Sequence, residues 1–521
     1  MSGEILPFES YPGIPPLFLD FVRGRSAFHP DPPTVDAAAA RGKALLGRPA
    51  RLSAGAFRVR DAAGRTLAED LAAGRAVAVA AGHQVGLFTG PLYTLWKAFD
   101  AIRVAAQLRA RGVPAVPVFW ALTDDHDLEE VARTARPGRE GPEAHVLEGA
   151  DRANRAPVGA RQIPPGIAEI LDAFRKDARA PDAEDTLGRF AGRYAAGAPY
   201  GDAFIETLLD LVSPEPLLVV DPLSEALRAP AADFFGLACA RERAVREALR
   251  GAEERLRAGG REPAVTQRGD ALPFFEIRDG ARRRVEDPAA LVRDAAAGLA
   301  RISTDVLTRP VFKSYLFPVA ASILGPAEVA YHAQALPLFD ALDVAAPVLL
   351  PRSHLIPRGP AERRAARALG LSIEEIFRPA EAPPAETVPA AQAVRRIDGD
   401  TNARLLELTP ELQSLDPTLL GALENARRKI SYQLEQLEEK MRKAAERRGE
   451  TQLQRRRRLE TMLAPRGAPA ERLYPPLVPL LAWGAASLET LRTAAQGSLE
   501  GAVVVDVGGA ADSDQGGPDA G

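Results

Sequence analysis

Residues 76–102 read AVAVAAGHQVGLFTGPLYTLWKAFDAI, and the fold class follows from this stretch. Ala76 to Ala81 is an uninterrupted apolar run of strand length that ends in a polar, glycine-rich loop, Gly82 to Gly90. From Pro91 the period changes. Leu92, Leu95, Phe99, Ile102 and Ala106 recur at three or four residues, which marks one face of a helix, and Pro91 suits a first helical position, where its missing N–H costs nothing.

The same outline returns three times. Ala115 to Leu122 (AVPVFWAL) runs into Thr123-Asp124-Asp125-His126-Asp127 and a helical pattern from Leu128. Pro216 to Val220 ends at Asp221, and Pro347 to Leu350 ends near Arg352, Ser353 and His354. Four such segments, the first three separated by helical stretches, predict an α/β fold built on a mostly parallel, doubly wound sheet. Pro114 and Pro117 predict either an edge position for AVPVFWAL or a strand that begins after Pro117. In such folds the site lies outside the carboxyl ends of the strands, where these polar loops fall.

Working outward, residues 1–390 are expected to form the core. Residues 231–258 read as helix, and short alternating pieces such as LPFFEIR predict a hairpin or small inserted subdomain near 255–300. PAEAPPAETVPAA, residues 379–391, has a linker composition. Beyond Thr409, Leu423, Ile430, Leu434, Leu437, Met441 and Ala444 keep the spacing of a coiled-coil seam. Residues 391–465 are therefore a helical arm, which either packs on its own domain or dimerises. Residues 466–500 are expected to hold a final helix, Leu477 to Leu491, packed on the core, and residues 501–521 a disordered tail.

Composition narrows the classes. A chain of 521 residues suits two to four structural units, and 46% apolar with 26% charged residues fits a folded protein. Lys plus Arg number 66 against 70 for Asp plus Glu, so general nucleic-acid binding is disfavoured. The single cysteine, Cys239, sits beside Phe234, Phe235 and Leu237 and reads as a buried structural thiol suited to a reducing compartment. No basic-then-apolar leader and no run of about 18 apolar residues is present, so neither a signal peptide nor a membrane span is expected. The arginine runs 282–284 and 455–458 reflect a general excess of arginine over lysine rather than a phosphate signal, and His29 and His145 read as surface residues.

Three segments carry chemistry. In the first, Gly82, His83, Gln84, Gly86, Thr89, Gly90 and Tyr93 are candidate binding residues, because glycines admit a close ligand and helix-start amides meet anions. The pattern is neither GxGxxG nor GxxxxGK[ST], and a purely structural connection is the alternative. In the second, Asp125, His126 and Asp127 are candidate catalytic groups, with Asp125 and Asp127 also candidates to hold a divalent metal. The competing reading is an acidic helix cap at Thr123 or Asp124. In the third, Tyr315, Glu328, Tyr331 and His332 either line a polar pocket or form a surface stripe, while Arg309 and Arg352 suit carboxylate or phosphate partners and His354 is a lesser candidate.

Together these segments resemble the bacillithiol biosynthesis cysteine-adding enzyme family. GHQVGLFTGPLYTLWKAFDAI matches a family opening that usually begins Gly-Gln-Gln, with His83 as the departure. VPVFWALTDDHDLEE matches a segment closer to GEDHD, with Thr123-Asp124 in place of Gly-Glu. RPVFKSYLFPVAASILGPAEVAYHAQ, PVLLPRSHLI and AERLYPPL complete the match, the last with Glu471 and Arg472 kept and Ala470 in place of Gln. The resemblance implies a Rossmann-like core joined to a coiled-coil arm used for homodimerisation. It also implies a cytoplasmic ligase that adds L-cysteine to glucosaminyl malate, forming the last amide of bacillithiol. Activating a carboxylate conventionally takes ATP and Mg2+. On this reading the loop Gly82 to Gly90 contacts the nucleotide or another anion, and Asp125 and Asp127 orient magnesium or the attacking amine. His126 moves the proton, and Tyr93, Glu328 and Arg352 complete recognition. Another ATP-dependent small-molecule ligase or nucleotidyl transferase, and a dimeric scaffold without activity, are the alternatives.

Overall fold

The computed structural model describes residues 4–148, 155–266, 272–378, 389–496 and 498–508. Its main sheet has six strands, β1 (Phe57–Arg58), β2 (Val77–Gln84), β3 (Ala115–Leu122), β4 (Leu218–Val220), β5 (Val319–Leu324) and β6 (Val348–Pro351). The spatial order is β6-β5-β2-β3-β4-β1, parallel throughout except for the antiparallel β1. From β2 the chain adds strands outward through β3 to β4, then returns to the other side of β2 with β5 and β6. The order therefore reverses between β2 and β5, where open α/β sheets leave a crevice.

The apolar run of β2 is continuous because both faces are covered. Val77, Val79 and Ala81 enter one core cluster, while Ala78 and Ala80 enter the other. The strand also runs three residues further than its apolar run, since Gly82, His83 and Gln84 pair with Trp120, Ala121 and Leu122. A Cβ at Gly82 would lie 2.8 Å from the Trp120 carbonyl oxygen, so this glycine serves strand contact. The proline-bearing β3 is central and not at an edge. Its ladder to β4 begins only at Val118, just past Pro117, which leaves the proline outside that pairing.

Helix α1 (Tyr93–Ala110) follows β2, and helix α2 (Pro326–Leu342) follows β5 with Pro326 in its first turn. Residues 231–258 belong to two helices, Arg228–Ala240 and Glu242–Ala258. A three-stranded antiparallel sheet formed by Phe274–Arg278, Ala281–Arg284 and Arg301–Thr304 occupies the region of the expected subdomain. Of the expected linker, residues 379–388 lie outside the described residues, and 389–391 already belong to α3 (Pro389–Glu407).

Helix α4 (Leu419–Leu463) is 45 residues long, and α3 packs along it. Asn402 of α3 donates to Ser431 of α4 at 2.8 Å, and Ser431 donates to Asp398 at 2.8 Å. Leu423, Ile430, Leu434 and Met441 are half-buried, whereas Leu437 stays 46% exposed. Part of the seam is thus spent within the chain, and Leu459 and Leu463 root α4 in a core cluster with Phe8, Phe18 and Ile356.

Two expectations for the C-terminal region fail. Leu477 to Leu491 is two helices, Leu477–Trp483 and Ala486–Ala494, separated at Gly484, whose φ of +79° ends the first. Residues 501–506 are not disordered: they form a strand between Ile5–Pro7 and Leu355–Arg358. The partners lie far away in sequence, and the glycine-rich stretch after it dominates the local composition; residues 509–521 lie outside the described residues. His29 is buried against Phe21 and bonded to the Val329 carbonyl at 3.0 Å, so it is not a surface residue, whereas His145 is half-buried on the strand Pro142–Val146. Cys239 is half-buried beside the second core cluster, and burial pushes its thiol up. Among the described residues no helix is long and apolar enough to cross a membrane.

Candidate functional site

The carboxyl ends of β2, β3, β5 and β6 open onto a cavity of about 950 Å³. β2 contributes Gly82, His83 and Gln84, the turn after β3 contributes Asp125, His126 and Asp127, and the start of α2 contributes Glu328. Arg352 enters from the end of β6, and Tyr93 and Lys97 from the first turns of α1. The cavity therefore sits at the reversal of strand order and gathers most of the candidates that the sequence singles out.

In the acidic corner, each carboxylate has its own task. Asp124 is buried and accepts from Ser303 Oγ at 2.6 Å, and Thr123 donates to Asp221. Asp127 caps the short helix Leu128–Val131 by accepting from the Glu130 N–H at 3.2 Å, so the cap falls three residues later than Asp124. Asp125 faces the cavity. It accepts from the His126 N–H at 2.7 Å and Gln84 Nε2 at 3.3 Å, and Arg282 Nη1 lies 3.4 Å away. Burial alone would raise its pKa, but these donors and Arg309 hold the carboxyl well below the usual range. The His126 ring lies between two guanidinium groups, with Nδ1 3.0 Å from Arg282 and Nε2 2.7 Å from Arg155.

Asp125 is engaged by side-chain and amide donors, and Asp127 by a helix N-terminus. Among the described residues no three His, Cys, Asp or Glu side chains converge as a metal set.

The opposite wall is built on an ion pair between a buried lysine and a glutamate that faces the cavity. Lys97 Nζ lies 2.6 Å from Glu328 Oε2 and donates to the Gly82 carbonyl at 2.9 Å. Glu328 also accepts from the Gly325 N–H at 2.6 Å. Burial lowers the lysine, and Lys97 in turn keeps Glu328 ionised. Tyr93 lies beneath the Arg352 guanidinium, 4.8 Å from its ring centroid, and burial raises its phenol to about 12. His83 packs edge-on against Tyr93, and burial together with Lys97 and Arg352 holds its ring neutral. Arg352 is anchored behind the wall: it donates to Glu471 at 2.7 Å and to the Ser353 carbonyl at 2.7 Å.

Six candidates do not line the cavity: Gly86, Thr89, Gly90 and Tyr315, together with His332 and His354, which are both buried behind its wall. Gly86 and Gly90 pack on each other, where a Cβ at Gly86 would meet the Gly90 Cα at 2.7 Å. Thr89 is fully buried with φ of +70° and donates its N–H to Tyr194 Oη at 2.9 Å. The loop's glycines thus close it on itself, and the Leu92 N–H at the helix start is already bonded to the Tyr474 carbonyl. Tyr315 is half-buried and packs on the second core cluster, under Arg51 and against Phe234.

Lys97 and Arg282 are absent from the sequence-based candidates, and Glu471 enters there only through the resemblance of AERLYPPL. Lys97 had a signal, the one basic residue in the buried run TLWKAFDAI. Arg282 sits in an arginine run and reaches Asp125 only because the small antiparallel sheet folds over the main one. Glu471 is fully buried, an effect of packing that its local sequence does not announce.

Residues 54–353 match the family description "Bacillithiol biosynthesis BshC, N-terminal Rossmann-like domain", and residues 361–504 match "Bacillithiol biosynthesis BshC, C-terminal coiled-coil domain". A protein of Solibacter usitatus named "Putative cysteine ligase BshC" is 30% identical over 427 residues, 78% of this chain and 80% of the relative. Proteins of the same name from Heliobacterium modesticaldum and Bacillus cytotoxicus are 29% and 26% identical, covering 81% and 78% of this chain and 82% and 80% of their own.

Proposed function

The chain belongs to the BshC family of bacillithiol biosynthesis, with its Rossmann-like and coiled-coil domains, and on that premise we propose that it joins L-cysteine to the amine of glucosaminyl malate in the last step of that pathway. The observation that carries the reading is the cavity itself, where Asp125, His126, Lys97, Glu328 and Tyr93 meet inside the region that matches the family's Rossmann-like domain.

Asp125 stays ionised throughout the working pH range, so it acts by orienting the incoming ammonium or amine, since so weak a base takes up no proton. His126, beside it, receives the proton released as the C–N bond forms, after the exposed Arg155 yields its place at Nε2. Tyr93, Glu328 and Arg352 form the recognition wall. ATP with Mg2+ would supply the activation of the cysteine carboxylate, whose departing oxygen would leave on phosphate or AMP, in the cytoplasm. Another small-amine ligase or an inactive scaffold finds no support in the family matches.

The test is mass spectrometry of the folded protein with glucosaminyl malate, L-cysteine, ATP and Mg2+, omitting each in turn. The expected product has the mass of the two substrates joined with loss of water and requires all four components. Asp125→Asn should slow its formation about 100-fold, the scale of losing one preorganised electrostatic contact. Full activity in that variant removes Asp125 from the mechanism, and absence of product with wild-type protein overturns the reading.

The same reading includes a homodimer formed through the arm. Tyr432, Leu437 and Leu453 on α4 remain exposed after α3 has packed, a surface suited to a second copy. Sedimentation should give twice the chain mass for the wild type and a shift toward monomer for Leu437→Glu; a monomeric wild type would exclude the dimer.

A further inference from the structure

The cations around the cavity differ in how they are neutralised. Lys97 is paired with Glu328, Arg282 lies beside Asp125, and Arg352 is paired with Glu471. Arg309 and Lys313 are different: Arg309 acts on Asp125 and Asp305, and Glu328 on Lys313, only from beyond ion-pair distance. The two cations project from helix Thr308–Leu316 four residues apart and both line the cavity, so they share a helix face on which like charges repel. Among the described residues neither has a carboxylate within 4.0 Å. Arg309 spends Nη2 on the Thr304 carbonyl at 3.3 Å, but its Nε is buried with no acceptor. The nearest acid in sequence, Asp305, is committed to capping this helix through the Leu307 and Thr308 N–H groups, each at 2.9 Å.

Two adjacent cations and an orphaned donor in a partly desolvated wall carry a cost that a bound anion removes. We propose that Arg309 and Lys313 form a subsite for a doubly charged oxyanion, the planar fork of the arginine setting its orientation and the lysine supplying a point charge. Resting on the ligase reading, such a group has two sources, the malyl dicarboxylate of the sugar substrate and the phosphates of the nucleotide.

The subsite has a pH signature. Lys313 is faced by Glu328 and His332 of α2, by Lys97 of α1 and by Arg309 on its own helix. Glu328 is committed to Lys97 and stays ionised, and burial drives His332 down to about 3, so it is neutral at working pH. Burial lowers Lys313 to about 8, with Glu328 opposing and the two like charges assisting. A bound anion favours the protonated lysine, so affinity is full below that value and declines as pH rises through it.

Calorimetric titration of the full-length protein with L-malate and, separately, with inorganic pyrophosphate at pH 7 and pH 9 tests this. At least one anion should bind, about tenfold more weakly at pH 9 than at pH 7. Lys313→Met and Arg309→Met should each weaken binding about tenfold or more at pH 7, and Lys313→Arg should keep the pH 7 affinity and carry it unchanged to pH 9. Binding of malate alone assigns the malyl group, and binding of pyrophosphate alone assigns a phosphate. Absence of binding by either, or wild-type affinity in the folded Met variants, overturns the subsite. The readout is independent of amide formation, so anion binding in a protein that makes no product would keep the subsite and remove the ligase reading.

Discussion

Glu471→Leu is expected to destabilise the protein by about 3–5 kcal/mol, the cost of stranding a buried charge by removing its partner. Glu471 is fully buried and collects four donors: Tyr11 Oη at 2.6 Å, Arg352 Nη2 at 2.7 Å, His354 Nδ1 at 3.2 Å and the Leu355 N–H at 3.2 Å. Burial opposes its ionisation, but Arg352 and His354 hold the carboxyl far below its usual range. These partners come from the N-terminal segment and from the chain after β6, so the carboxylate ties distant parts of the sequence together behind the cavity wall. Leucine would leave the Arg352 guanidinium, itself 2% exposed, with its charge uncompensated. Glu471→Gln keeps an acceptor and should cost less. Urea unfolding checks both, as a lower midpoint at unchanged slope. A loss below about 1 kcal/mol for the leucine variant would show that the network relaxes around the missing charge.

Acidification should act on the same region. Burial is the leading cause that lowers His29 to about 4, His332 to about 3 and His354 to about 4. Their unfolded value is about 6.5, so between that pH and the folded values the unfolded chain binds more protons. Stability is therefore complete above about pH 6.5 and is lost as pH falls toward 4 for His29 and His354 and toward 3 for His332. Each contributes on the order of 3 kcal/mol, and together they rival the whole stability of an ordinary domain, about 5–15 kcal/mol. The carboxylates Glu471 and Asp125 have depressed pKa values, so their contribution is lost only below the unfolded carboxylate range, at about pH 4 and lower. Thermal unfolding followed from pH 7 to pH 4.5 isolates the histidines. Melting should drop steeply over that window and less so in His332→Gln; a flat profile would mean that these rings accept protons without leaving the fold.

The parallel sheet was legible because its strands are buried on both faces, which makes each a continuous apolar run closed by a polar turn. The sites at the strand ends followed from the same pattern. Asp125, His126 and Asp127 could be located by residue type and position, but not sorted: that Asp125 faces the cavity while Asp127 caps a helix is set by one turn of backbone. Gly86, Thr89 and Gly90 looked like a ligand loop because glycine permits close approach, and the approach turned out to be the loop to itself.

Local sequence by itself determined the α/β class, the strand ends that bear the chemistry and the long C-terminal helix, since each depends on a period or a composition within about 20 residues. Tertiary structure alone decided the partners. Arg282 meets Asp125 across 157 positions, Glu471 meets Arg352 across 119, and Gly501–Asp506 becomes a strand between two segments more than 100 residues away. Hydrogen bonds and ion pairs act over a few ångströms of space, so residues distant in the chain become partners only after the apolar core has folded and brought them together.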